Sequence, residues 1–245
     1  MNYLIDTTAR RLTFLDSRFY LTEDGAPIPS VTTILEAYPK DYHFYKWLKE
    51  NGEDADKLRD AAGRRGTTVH KMTEDYDAGH EVTLLGGDGE LNFRLEEWAM
   101  FERYVEFSQR FQPEIIMAEQ NFVSPSLGYA GTVDRIIRMD GKRILMDIKT
   151  SNAIHAAYWL QLAAYKELVS EAGFAVDAVG ILWLNAKTRS NGKKGDIQGT
   201  GWQLVIVSDT TDHLELFGAT KQLWHAQNKD IQPRQLSYQL SHVKG

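Results

Sequence analysis

The chain of 245 residues contains no cysteine. That absence removes disulfides, a thiolate nucleophile, thiolate-bound zinc and cysteine-ligated iron–sulfur clusters from its chemistry. It fits a reducing compartment. A positive excess is also missing: the formal net charge is −6, so the chain does not coat nucleic acid through bulk charge. A local basic patch stays open, and an acidic cluster built to hold a cation would push the total negative. Long apolar runs are lacking as well. None approaches the ~20 residues of a membrane span, and "MNYLIDTTARRLTF" has no apolar core of a secretory signal. These absences predict a soluble, cytoplasmic protein that crosses no membrane. No repeat, low-complexity segment or linker rich in Pro, Gly or Ser divides the chain. A single domain over 1–245 is expected, with strands and helices over 1–112 and an α/β core over 113–245.

What is present changes character near Pro113. Before it, the first twenty-odd residues read as short strands turning near Asp24-Gly25. Ser30 is a plausible N-cap for "VTTILEAY", which Pro39 ends. "DYHFYKWLKENG" predicts a helix closed by Gly52. "DADKLRDAAGRRGTTVHKMTEDYDAG" predicts a longer one, interrupted or bent near Gly63 and Gly66. The segment Leu91 to Arg110 has helical period. After Pro113, "EIIMAEQNFV", "GYAGTVDRIIRM" and "KRILMDIKT" read as a three-strand meander. A helix capped by Ser151 or Asn152 runs to about Glu171, with Gly173 as its stop. A buried strand, a polar loop, another strand and a helix from about Thr211 to Asn228 complete a mixed α/β pattern.

The meander carries the chemistry. Asp140-Gly141 is a strong signal for a two-residue hairpin turn. Counting outward from it, Met139 pairs with Lys142, Asp134 falls opposite Asp147, and Thr132 falls opposite Lys149. The other face carries Val133, Ile137, Ile144, Met146 and Ile148 as a core-facing row, with Arg135 the exception. Facing carboxylates repel. A Mg²⁺ or Mn²⁺ ion would offset that repulsion, since hard oxygen ligands suit both. Lys149 leaves the strand on the same face as Asp147. A cationic amine there can orient water or stabilise charge on a phosphate. A solvated polar sheet face is the alternative reading; the register weighs against it, and that register assumes a hairpin without a bulge.

Other candidates stand near this pair. Gln161 and Tyr165 share a helix face at i, i+4, with Tyr158 close by. They could bond a phosphate or brace the lysine, or be an ordinary surface glutamine and a half-buried tyrosine. Thr150 and Ser151 could donate to a phosphate at a helix start, or simply cap. His70 lies on a helix, a metal-ligand candidate or a structural histidine. Glu119 is a candidate additional acid whose orientation parity does not fix. Arg64 and Arg65, with Lys187, Arg189, Lys193 and Lys194 of the polar loop, offer local positive charge for a polyanion. Tyr42, Phe44, Tyr45 and Trp47 are either base-stacking groups or core.

In order and spacing, His70, "GTVD" ending at Asp134, "DIKTS" with Asp147 and Lys149, and "QLAAY" with Gln161 and Tyr165 resemble the RecB-like branch of the PD-(D/E)xK nucleases. "PSVTTIL" is similar to segments of phage-type exonucleases and the mitochondrial genome maintenance exonuclease type. The resemblance implies a restriction-endonuclease-like core: a central mixed sheet flanked by helices, here with an N-terminal β-hairpin and helical elaboration. It implies a Mg²⁺-dependent deoxyribonuclease, often an exonuclease acting at DNA ends in phage or bacterial recombination, replication or repair. Mn²⁺ is expected to substitute, and a recombinase or single-strand-binding protein is an expected partner. It further implies His70, Asp134, Asp147 and the Ile148 carbonyl as metal ligands, Lys149 as the catalytic lysine, and Gln161 and Tyr165 as organisers of the site or DNA contacts. The iron–sulfur cluster of many relatives is ruled out by composition. A structure-specific endonuclease and a non-catalytic DNA-binding protein are the competing expectations.

Overall fold

The computed structural model describes residues 11–14 (backbone only), 17–22, 24–186 and 201–229. Its centre is a five-stranded sheet in the order β4 (Glu114–Ser124), β5 (Tyr129–Met139), β6 (Lys142–Lys149), β7 (Ala178–Trp183) and β8 (Gln203–Val207). Among the described strands of this sheet, only β6 and β7 pair in parallel. A parallel pair needs a crossover, and helix α5 (Ala156–Glu171) supplies it. All six residues of β7 are buried. That is why "AVGILW" reads as an unbroken apolar run: helices cover the sheet on both faces.

One covering layer is α5 with α6 (Thr211–Gln227) and the short α1 (Val31–Ile34). Leu162, Leu168, Val169, Phe217, Val31 and Ile34 pack there against Ile136, Leu145 and Ile181. The opposite layer is α3 (Ala55–Asp77) and α4 (Leu95–Phe111), whose Val69, Met100, Tyr104 and Phe107 meet Ile137, Ile144, Met146 and Ile148. Each fully buried large apolar side chain contributes ~1.5–3 kcal/mol, so both faces of the hairpin are held from outside. Among the described residues, no helix is long and apolar enough to cross a membrane.

The hairpin has the expected register. Asp140 and Gly141 take φ of 49° and 75°, both left-handed, as a twist-matched two-residue turn requires. Pairs run from Met139 with Lys142 to Arg135 with Met146. Asp134 and Asp147 are the next positions, just past the paired residues.

The expected alternation breaks at that point. Ladder pairs between β4 and β5 go from Ala118 with Arg135 to Gln120 with Val133 in one register, leaving Glu119 and Asp134 level with each other between them, and Glu119 takes φ 47°. A second irregularity lies between Ile115 and Met117. Val133 consequently packs with Ile136 in the α5 layer, while Arg135 and Ile137 face α3 and α4. The predicted single row of Val133 with Ile137, Ile144, Met146 and Ile148 is therefore wrong for Val133. The break in alternation lies at Asp134, level with the left-handed Glu119.

Three other expectations, for α3, the start of α5 and the aromatic residues at 42–47, need correction. Helix α3 runs without interruption through Gly63 and Gly66. Gly66 serves close approach instead: a Cβ there would stand 3.4 Å from Thr150 Oγ1 at the end of β6. Helix α5 starts at Ala156 with His155 as N-cap, not at Ser151 or Asn152. The chain after β6 is tied first to β7, since Leu184 N donates to the Lys149 carbonyl (2.8 Å) and Trp183 Nε1 to that of Ser151 (2.7 Å). The N-terminal hairpin β1 (Arg11–Phe14) and β2 (Ser17–Leu21) carries a third strand, β3 (Pro27–Pro29). Ser30 caps α1 as predicted, its Oγ accepting from Thr33 N. Helix α2 (Tyr42–Asn51) is capped by Asp41 and ends at Gly52, but buries none of its residues, and Tyr42 is 74% exposed. Tyr42, Phe44, Tyr45 and Trp47 are not core.

Candidate active site

Period two along β6 sends Asp147 and Lys149 to one side, toward the N-terminal half of α5. Asp147 is 2% exposed, and its Oδ2 stands 2.6 Å from Lys149 Nζ. Burial pushes the Asp147 carboxyl up to about 6 against the pull of Lys149. Burial also works against the Lys149 charge, but Asp147 and Asp134 outweigh it and hold the ammonium above its ordinary range. Lys149 therefore acts as a fixed cation. It donates to Gln161 Oε1 at 3.1 Å and lies 4.5 Å from the Tyr158 ring centre. Gln161 Nε2 in turn donates to Tyr165 Oη at 3.2 Å, across one helical turn. The Tyr165 ring fills the space above Gly131, where an added Cβ would come within 2.3 Å of it. A strand glycine marks that close approach.

Asp134 leaves β5 beside this group. Its Oδ2 accepts from Ile148 N at 3.0 Å, which ties the two strands together just past their last pair. His70, on α3, donates from Nε2 to the Ile148 carbonyl at 2.9 Å, since a carbonyl only accepts. That bond turns Nδ1 toward Asp134 Oδ2 at 3.4 Å and Glu119 Oε1 at 3.9 Å. Burial lowers the imidazole's affinity for a proton, but Asp134, Glu119 and Asp147 together overcome it and raise the pKa to about 9. Among the described residues, His70, Glu119 and Asp134 offer ligand atoms all within 4.8 Å of one another. Asp147 falls outside that trio and turns to Lys149.

Behind the trio lies Arg135, fully buried, its guanidinium spanning from Asp77 on α3 to Glu119 on β4. Sequence reasoning marked it only as an intruder in an apolar row, which was the available signal. Asp77, Tyr104 and Gly131 went unnoticed: Asp77 follows His70 on the same helix but belongs to no motif, Tyr104 lies far from the motifs in sequence, and the glycine's meaning depends on a helix packed above it.

The remaining candidates scatter. Arg64 is exposed on α3. Arg65 turns to Glu96, Nη1 to Oε2 3.4 Å, with its side chain 18% exposed. Thr150 is buried, and Ser151 Oγ donates to the Ala153 carbonyl (2.8 Å) rather than facing a helix start. Lys187, Arg189, Lys193 and Lys194 lie outside the described residues.

One imidazole nitrogen and two carboxylates converging within 4.8 Å, beside a third carboxylate and a backbone carbonyl, form a mostly hard oxygen donor set. These residues fit a divalent cation. No curated protein matches the chain in sequence. A solved structure described as "Crystal structure of SSO0001" is similar over 56% of this chain and 60% of its own length, at 17% identity and a TM-score of 0.31. The family model of the PD-(D/E)XK nuclease superfamily matches residues 41–235, a span that takes in His70, Asp134, Asp147, Lys149, Gln161 and Tyr165. The chain belongs to the PD-(D/E)XK nuclease superfamily.

Proposed function

We propose that this chain is a metal-dependent DNA exonuclease of the RecB-like type, cutting phosphodiester bonds from a free end during phage or bacterial recombination, replication or repair. The observation that supports the reading is the meeting of two layers at one end of the hairpin. His70 from α3, Asp134 and Glu119 from the sheet, and Asp147 with Lys149 from β6 all converge there.

In this reading His70, Asp134, Asp147, the Ile148 carbonyl and Glu119 hold Mg²⁺, with Mn²⁺ substituting. Such an ion, when bound, polarises the scissile phosphate and lowers the pKa of a coordinated water. Lys149 presents its fixed positive charge to the phosphoryl oxygens as negative charge grows on them. Gln161 holds the ammonium by one hydrogen bond, and Tyr165 holds Gln161 by another. The lysine then needs no reorganisation at the moment of reaction. Arg64 and the lysine-rich loop supply phosphate contacts along the strand. The expected setting is the cytoplasm, with a recombinase or single-strand-binding protein as partner.

Linear and covalently closed circular DNA, with Mg²⁺ or with chelator, test the reading. Loss of linear DNA alone, dependent on Mg²⁺, is the expected result. Nicked circles would replace the exonuclease with an endonuclease on the same core. No cleavage of either would remove the catalytic reading. Strands labelled at the 5′ or 3′ end then give the polarity.

A further inference from the structure

Arg135 sits where the core asks for an apolar residue, with Ile137, Ile144 and Met146 as neighbours on its face. It is 0% exposed. A buried guanidinium is unfavourable unless its hydrogen bonds are met, and here its partners are specific. Nε donates to Asp77 Oδ2 at 2.8 Å, Nη2 to Thr73 Oγ1 at 3.4 Å, and Nη1 to both the Asp134 carbonyl at 2.7 Å and Glu119 Oε1 at 3.3 Å. Tyr104 of α4 fixes the anchor, its hydroxyl lying 2.7 Å from each Asp77 oxygen. Glu119, at the far end, is held at φ 47° within a strand. A non-glycine residue kept left-handed persists only where its surroundings over-determine it, and such residues cluster at functional sites.

We propose that Arg135 is a positioning residue: anchored on Asp77, it holds Glu119 and the Asp134 backbone so that both carboxylates converge on His70 and set the site's affinity for a divalent cation. The inference rests on the reading of that trio as a cation site. It explains three otherwise separate facts: a buried charge in an apolar row, a left-handed glutamate, and a break in strand alternation at the same level.

The test is calorimetric titration of Mn²⁺ into the DNA-free protein. Arg135→Lys keeps the charge but loses the fork that reaches several partners at once. Its dissociation constant for Mn²⁺ should rise about 10–100-fold, the usual effect of removing a group that orients a ligand. Glu119→Gln should raise it comparably, and the double variant no further than the larger single effect. Unchanged affinity in folded Arg135→Lys, or independent effects that multiply in the double variant, would overturn the proposal and leave Arg135 a purely structural residue. If Arg135→Lys does not fold, Tyr104→Phe, which releases Asp77, is read in its place. A rise of a few-fold supports the proposal and no rise overturns it. Wild-type protein that takes up no Mn²⁺ would sink the cation reading itself, which separates that failure from failure of the Arg135 inference.

Discussion

Lys149 and Asp147, two residues apart on β6, form an ion pair of 2.6 Å whose carboxylate is almost wholly buried. The pair is both structural and, in the proposed reaction, chemical, and the two roles separate on mutation. Removing one partner of a buried pair costs about 3–5 kcal/mol because the other charge is stranded. Lys149→Ala should therefore lower the melting temperature as well as abolish cleavage. Replacing both, as Asp147→Asn with Lys149→Met, should recover most of the stability and none of the activity. Thermal melts with a linear-DNA digestion check this. Cleavage by the double variant at the wild-type rate would remove both residues from the mechanism.

Gly131 is a mechanical support for Lys149 at two removes. Gly131→Ala must displace the Tyr165 ring, and with it Gln161 and the lysine. Overpacking costs about 1–3 kcal/mol, and a misplaced catalytic group costs about 100-fold in rate. Tyr165→Phe, which keeps the ring and loses the hydroxyl, should cost less in rate than Gly131→Ala. The reverse order would show that the hydroxyl, not the ring's position, matters.

The metal-free protein should lose stability as pH rises toward 9. His70 has a folded pKa of about 9, above its ordinary 6.5. The folded state thus binds its proton more tightly than the unfolded state does. Its contribution is full below about 6.5 and gone above about 9. Asp147, raised to about 6, adds a loss of the same sign at lower pH. Melting temperatures in chelator from pH 6.5 to 9.5 should fall, and His70→Ala should flatten that slope. Because the imidazole must lose its proton to serve as a ligand, Mn²⁺ uptake at pH 7.5 should release a proton, read as a buffer-dependent heat.

The turn tests the register directly. Gly141 sits at φ 75°, a conformation that costs an ordinary residue roughly 1–2 kcal/mol. Gly141→Ala should destabilise by about that amount, whereas Asp140→Asn, which keeps a residue tolerant of positive φ, should be near neutral. Equal effects would contradict a turn with both residues left-handed.

Much of the site could be read from the residues because two periodic rules act together there. A two-residue turn and alternation along a strand suffice to bring Asp134 level with Asp147, and to put Lys149 beside it. Gln161 and Tyr165 followed from helical spacing. The rest depended on information that is not periodic. Glu119's direction follows from a left-handed backbone that glutamate does not announce. Val133 changes layers beside that same level of the neighbouring strand, which no period along β5 announces. His155, not Ser151 or Asn152, begins α5, because the intervening chain is bonded to β7, which comes later in sequence. Arg65 turns to Glu96 on another helix, a pairing that no local pattern encodes.

The irregularities of β4 carry one more consequence. A strand whose residues strictly alternated would pair just as fully and cover as much apolar surface, yet a slip of one position turns every following side chain over. Adding or deleting a residue between Ile115 and Glu119 would leave a foldable sheet with its acidic group aimed elsewhere. Any redesign that tidies this strand toward ideal geometry would thus disperse the candidate site while improving the scaffold.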